Sequence, residues 1–151
     1  YENKPDLEAF AMAVSESRNP VCYNGDLFSV EDICRIREHF PSVECLMMGR
    51  GLLANPALAE GKAPDMVRLK GFHDALLSGY RQAIPGDRNV LFKMKEVWIY
   101  LGSGFTNFEK YGKKIKKSQK LAEYEQAVER LFHEQQIQKE PFFHGYRKNS
   151  S

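Results

Sequence analysis

Two short apolar runs, Val21-Cys22-Tyr23 and Val43 to Met48, are separated by a stretch that reads as a helix, and no further strand pattern follows them. This arrangement limits the fold more than any other feature of the chain. A helical crossover between neighbouring strands makes the pair parallel. The second run lacks apolar–polar alternation, the pattern of a strand buried on both faces. Upstream, Leu7, Phe10, Ala11 and Val14 fall at i, i+3, i+4 and i+7, the stripe of an amphipathic helix, with Pro5 suited to its entry. Between the runs, Ser29 and Asp32 have the spacing of a capping box. They open a helix with Ile33, Ile36 and Phe40 on its inner face, stopped by Pro41. A short helix is expected from Asn55-Pro56. Residues 1–60 therefore read α-β-α-β.

From about Pro64 the period becomes helical throughout. Met66, Leu69, Phe72, Leu76 and Tyr80 make one stripe. Pro85-Gly86-Asp87 is a turn. Val90 or Leu91, Met94, Val97 or Trp98, and Leu101 make a second stripe, broken by Gly102-Ser103-Gly104. A Lys-rich helix and one carrying Leu121, Tyr124, Val128 and Leu131 follow, then an irregular tail from Pro141 in which Phe142-Phe143 tucks back. Trp98, Phe72, Tyr80, Phe105, Phe108 and Tyr111 read most simply as core, although the last three could also stack on a base.

Charge divides at the same point. Residues 1–60 carry 5 Lys/Arg against 10 Asp/Glu, and residues 61–151 carry 17 against 10. Such a split suggests two units with different partners, the basic one facing a polyanion. Lys110, Lys113, Lys114 and Lys117 share one helical stripe, and no acid occurs from Lys110 to Lys120. The like charges repel in a free helix, and a phosphate backbone relieves that repulsion. Arg88, Lys93 and Lys95 are candidates to extend the patch. A solvated cationic helix explains the same pattern without a partner.

Cys22, Cys34 and Cys45 are odd in number and lack metal-ligand spacing, so neither a disulfide framework nor a zinc site is expected. Each lies in an apolar pattern, where reduced cysteine acts as a small hydrophobe. That fits a reducing, cytoplasmic compartment. His39, His73, His133 and His144 are scattered and read as surface or half-buried residues. No apolar run approaches the ~18 residues of a membrane span.

Chemistry concentrates at two turns. Asn24-Gly25-Asp26 follows the first strand and Gly49-Arg50-Gly51 follows the second. Strand C-terminal ends are where parallel α/β proteins place their sites. Glycines let a phosphate approach backbone N–H groups, the following helices add N-terminal dipoles, and Arg50 offers a permanently charged fork. Either turn alone reads equally well as a plain turn. The pair, one βα unit apart, points to a phosphate cradle.

Together, Pro20-Val-Cys-Tyr-Asn-Gly-Asp-Leu-Phe-Ser-Val-Glu-Asp32 and Leu46-Met-Met-Gly-Arg-Gly-Leu-Leu-Ala-Asn-Pro56 resemble the end of the barrel in tRNA-dihydrouridine synthases. The Lys93-Met-Lys-Glu-Val-Trp98 helix resembles their helical C-terminal domain. The resemblance implies that residues 1–60 are strands 7 and 8 of a TIM (β/α)8 barrel and that residues 61–151 are a helical tRNA-binding domain. It implies FMN as cofactor, NADPH as reductant, and reduction of uridine to 5,6-dihydrouridine in tRNA. Gly25, Gly49, Arg50 and Gly51 would hold the FMN phosphate, Asn24 would lie near flavin and uridine, and Asp26 would brace its own turn. The family's proton-donating cysteine lies on an earlier barrel loop, so no catalytic residue is assigned here. The alternatives are a non-catalytic nucleic-acid-binding module and another FMN barrel oxidoreductase acting on a small molecule. A complete barrel needs ~250 residues, so 151 residues beginning without Met imply a piece. Its missing barrel strands would come from elsewhere, or it would self-associate through residues 1–60.

Overall fold

The computed structural model describes residues 5–138, which form seven α-helices, two short strands and two 3-10 segments. Pro141, Phe142, Phe143 and His144 lie outside the described residues. α1 (Leu7–Glu16) is capped by Asp6, whose Oδ1 accepts from the amides of Glu8 and Ala9. β1 (Cys22–Tyr23) leads through the first glycine turn to α2 (Val30–His39), opened by the expected Ser29–Asp32 capping box. β2 (Cys45–Leu46) pairs with β1 in parallel, Cys22 beside Cys45 and Tyr23 beside Leu46. The second glycine turn starts α3 (Arg50–Ala54), and a 3-10 segment from Pro56 to Glu60 follows, capped by Asn55.

Helices α1 and α2 cover one face of the strand pair. Tyr23, Leu27, Ile33, Ile36, Val43 and Leu58 are buried there, with Leu7, Phe10 and Val14 of α1 packed against them. The other face is bare. Cys22 and Cys45 are exposed, and Met47 is 54% exposed. The expectation of a strand buried on both faces fails here because helices lie on one side only. All three cysteines are exposed rather than acting as small core hydrophobes. Ala11 is exposed as well, since α1 presents only Leu7, Phe10 and Val14 to the core.

The remaining helices are α4 (Met66–Ala83), α5 (Asp87–Leu101), α6 (Phe108–Lys117) and α7 (Leu121–Glu134). Their shared core buries Leu69, Met94, Trp98, Leu101, Phe105, Tyr124 and Leu131, as the helical stripes anticipate. Phe108 stacks on Trp98 at 5.7 Å between ring centroids, so the aromatics around the Gly102–Gly104 break are packing groups. After α7 the chain returns along this break: Ile137 bridges Phe105, and the Gln138 amide donates to the Gly104 carbonyl at 2.8 Å.

His73 departs from the expected surface or half-buried histidine: it is 2% exposed, within this core. Trp98 Nε1 donates to Tyr124 Oη at 2.7 Å, and Tyr124 Oη lies 2.7 Å from His73 Nε2. His73 Nδ1 lies 2.9 Å from an Asp74 carboxylate oxygen. The ionised carboxylate only accepts, so we assign the proton to Nδ1 and let Tyr124 donate to Nε2. Burial pushes the His73 pKa down despite the neighbouring Asp74 carboxylate. The neutral ring therefore joins α4, α5 and α7.

Candidate functional site

Because the strands are parallel and in register, both end at the same level and deliver their turns to one place. Asn24, Gly25, Asp26, Gly49, Arg50 and Gly51 all line one open cavity of about 520 Å³. That volume lies within the range of small-molecule sites. Pro5, Leu27, Phe28 and Tyr100 complete the wall. Tyr100 comes from α5, so the helical half contributes to the cavity. This was not legible in the sequence, where Tyr100 sits between stripe positions and only its place two residues before the glycine break sets it apart.

The six residues do different work. Arg50 and Asp26 form an ion pair that ties the two turns together, Arg50 Nη2 donating to Asp26 Oδ1. Asp26 thus reaches across to the second turn, where the sequence suggested that it braces its own. The bracing carboxylate is Asp32, which accepts from the amides of Phe28 and Ser29 at 3.0 Å each. In consequence the N-terminus of α2 is closed by its own cap and is no anion site. The N-terminus of α3 is different: no side chain caps it at Gly49. With five residues, α3 adds little dipole, so its amides and the Arg50 guanidinium are the electropositive groups of the cavity.

The glycines also divide. A Cβ on Gly25 would lie 2.2 Å from the Tyr23 hydroxyl, and one on Gly51 would lie 1.9 Å from the Leu27 carbonyl oxygen. Both residues admit neighbouring protein atoms rather than a ligand. A Cβ on Gly49 meets nothing within 4 Å. Gly51→Ala is therefore expected to push α3 off the first turn, costing about 1–3 kcal/mol as an overpacked contact. Gly49→Ala is expected to keep the wild-type melting temperature. Thermal melts of the two variants check this, and equal melting points would refute the difference.

A second electropositive region lies on α6. Tyr111 and Ile115 face inward, while Lys110, Lys113, Lys114, Lys116, Lys117 and Lys120 are all exposed. None of these six forms an ion pair among the described residues. Lys110 lies over the Tyr111 ring at 5.6 Å. A groove of about 390 Å³ between α6 and α7 is lined by Lys114, Lys117 and Arg130, with Glu123 and Gln126. Arg130 is held by Glu134, whose carboxyl is lowered to about 2 by Arg130 and by the Tyr111 hydroxyl.

The α5 candidates are less uniform. Arg88 is exposed in the first turn. Lys93 pairs with Glu96 at 3.0 Å. Lys95 Nζ donates to the Ser118 carbonyl at 2.6 Å, which fastens the end of α6 to α5. Lys95 thus has a structural task beside the basic surface.

No group of three or more His, Cys, Asp or Glu side chains placed to hold a metal ion occurs among the described residues. No helix among them is long and apolar enough to cross a membrane. The chain matches no protein-family model and no curated protein.

Proposed function

We propose that the chain is the C-terminal part of an FMN-dependent tRNA-dihydrouridine synthase, with residues 1–60 as the last βα units of a TIM barrel and the helical half as its tRNA grip. The observation that carries this reading is the convergence of both glycine turns on one cavity. A phosphate fits the groups present there: the uncapped amides at Gly49, the Arg50 guanidinium and an open space where a Cβ on Gly49 would project. Gly49 and Arg50 would hold the FMN phosphate, with Asn24 on the same cavity wall. When bound, FMN supplies hydride exchange, from NADPH to the C5=C6 bond of a uracil. The chain's own contribution is to bind the phosphate and position the tRNA, with Lys110, Lys113, Lys114 and Lys117 meeting backbone phosphates.

The second reading, a flavin-free nucleic-acid-binding module, is favoured by one observation. Asp26 already neutralises the guanidinium that would grip the phosphate. The two readings separate in a comparison of FMN with riboflavin, which lacks only the phosphate. The flavin reading expects FMN to bind ~10–100-fold more tightly, the value of a charge-assisted contact. Arg50→Ala should narrow that gap and Asp26→Asn should widen it. Fluorescence titration checks all three, and equal affinities for FMN and riboflavin, or no binding of either, would sink the flavin reading while leaving the tRNA grip standing.

A further inference from the structure

The bare face of the strand pair carries three sulfur atoms. Cys22 and Cys45 are register partners on adjacent parallel strands, and both are exposed free thiols. Met47 follows Cys45 by two residues. Its amide donates to the Tyr23 carbonyl at 2.8 Å, so the pairing continues to this point. Side chains alternate along a strand, and the burial follows that rule: Cys45 is out, Leu46 packs with the core, and Met47 is out at 54% exposure. Cys22, Cys45 and Met47 therefore stand on one solvent-facing surface.

We propose that these three residues form a binding site for copper(I). Neighbouring strands lie ~4.8 Å apart, and two metal–thiolate bonds of ~2.3 Å each span that gap. Thiolate and thioether are soft donors that select copper(I) over harder ions. A structural zinc site needs four ligands, and no third His, Cys, Asp or Glu joins the two thiols among the described residues. Copper(I) is satisfied by two thiolates with a thioether as third donor. Binding releases both thiol protons to solvent, so one cation is exchanged for two protons and the site gains one negative charge. The weak contact from Cys22 Sγ to the Tyr23 carbonyl, 3.8 Å, is given up in that step. The proposal stands on strand register and on this face being open, as it is here; completing the barrel of the proposed function would turn the face inward, so the two readings compete for it.

The test is an anaerobic copper(I) titration of the whole chain against a chromogenic chelator. One copper(I) per chain is expected, with two protons released. Cys22→Ser and Cys45→Ser should each weaken binding by at least ~100-fold, and Met47→Leu by ~10-fold, because each removes one donor of the set. Cys34→Ser should leave it unchanged: Cys34 belongs to α2, which packs on the opposite face through Ile33 and Ile36. All four positions are exposed, and circular dichroism will verify that each variant stays folded. Failure to retain copper against the chelator, binding that survives Cys22→Ser with Cys45→Ser, dependence on Cys34, or an unchanged affinity in Met47→Leu would each overturn the site.

Discussion

Replacing Lys110, Lys113, Lys114 and Lys117 with alanine is expected to lower tRNA affinity by about three orders of magnitude at 0.1 M salt. Each duplex phosphate contact contributes about 0.9 to the slope of log affinity against log salt. Four contacts therefore account for a slope change of roughly 3 to 4, and at 0.1 M salt for a similar number of decades. The fold should be untouched. All four side chains are exposed on α6, and the buried residues of that helix, Tyr111 and Ile115, remain. Alanine also favours the helix and removes like-charge repulsion. Two single variants give the contrast. Lys93→Ala should change the slope little, because its ammonium is already paired with Glu96. Lys95→Ala should act on stability, because its ammonium holds the Ser118 carbonyl. A salt titration of tRNA binding checks the set. A quadruple variant with the wild-type slope would show that the lysines are only a solvated surface.

Much of this was open to the sequence because it is local. The Ser29–Asp32 cap and the stripes of α4, α5 and α7 are set by spacings within a few residues, and the parallel pair by the single helix that joins its strands. The convergence of Asn24–Asp26 with Gly49–Gly51 was legible for a related reason: parallel strands joined by one helix must end at the same edge. What each turn residue does was not legible. Arg50 and Asp26 are 24 positions apart and meet only after the strands pair. The space beside Gly25 and Gly51 is taken by Tyr23 and Leu27, whose positions follow from packing.

Burial misled in both directions for the same reason. The apolar run from Val43 to Met48 suggested two covered faces, but the run alone does not say what covers it, and helices supply one side only. His73 looked unremarkable because its partners, Tyr124 and Trp98, lie 51 and 25 positions away. A histidine one turn from Leu69 and one turn from Leu77, a leucine outside the stripe read for α4, was the available signal. Its position marked it for the core, and only the fold supplied the hydroxyl that makes burial tolerable.

That hydroxyl sets up the largest stability effect expected in the chain. Tyr124→Phe keeps the ring and its packing but leaves Trp98 Nε1–H and His73 Nε2 without a partner in a dry core. An orphaned buried polar group costs about 1–3 kcal/mol, so two together should cost about 2–6 kcal/mol. For a chain of this size that lowers the melting temperature by about 4–24 °C. Exposed Tyr-to-Phe changes alter little, so a variant melting within 1 °C of wild type would refute the hub. The pH dependence supplies an independent readout. His73 is neutral when folded and its pKa is depressed by burial, so below its ordinary value of 6.5 the unfolded chain takes up the proton first. Stability is thus full above about pH 6.5 and falls as pH drops towards the folded-state pKa, at up to ~1.4 kcal/mol per pH unit. Asp74 adds to the loss only lower down. Burial opposes ionisation of its carboxyl, yet hydrogen bonds from Lys70 and His73 hold it below 3.8. His73→Leu should remove the upper part of this decline and leave, at reduced size, the lower part that Lys70 still sustains. Urea melts between pH 7.5 and 3 separate the two groups, and a wild-type stability flat across pH 6.5 to 5 would show that His73 is not held neutral by the core.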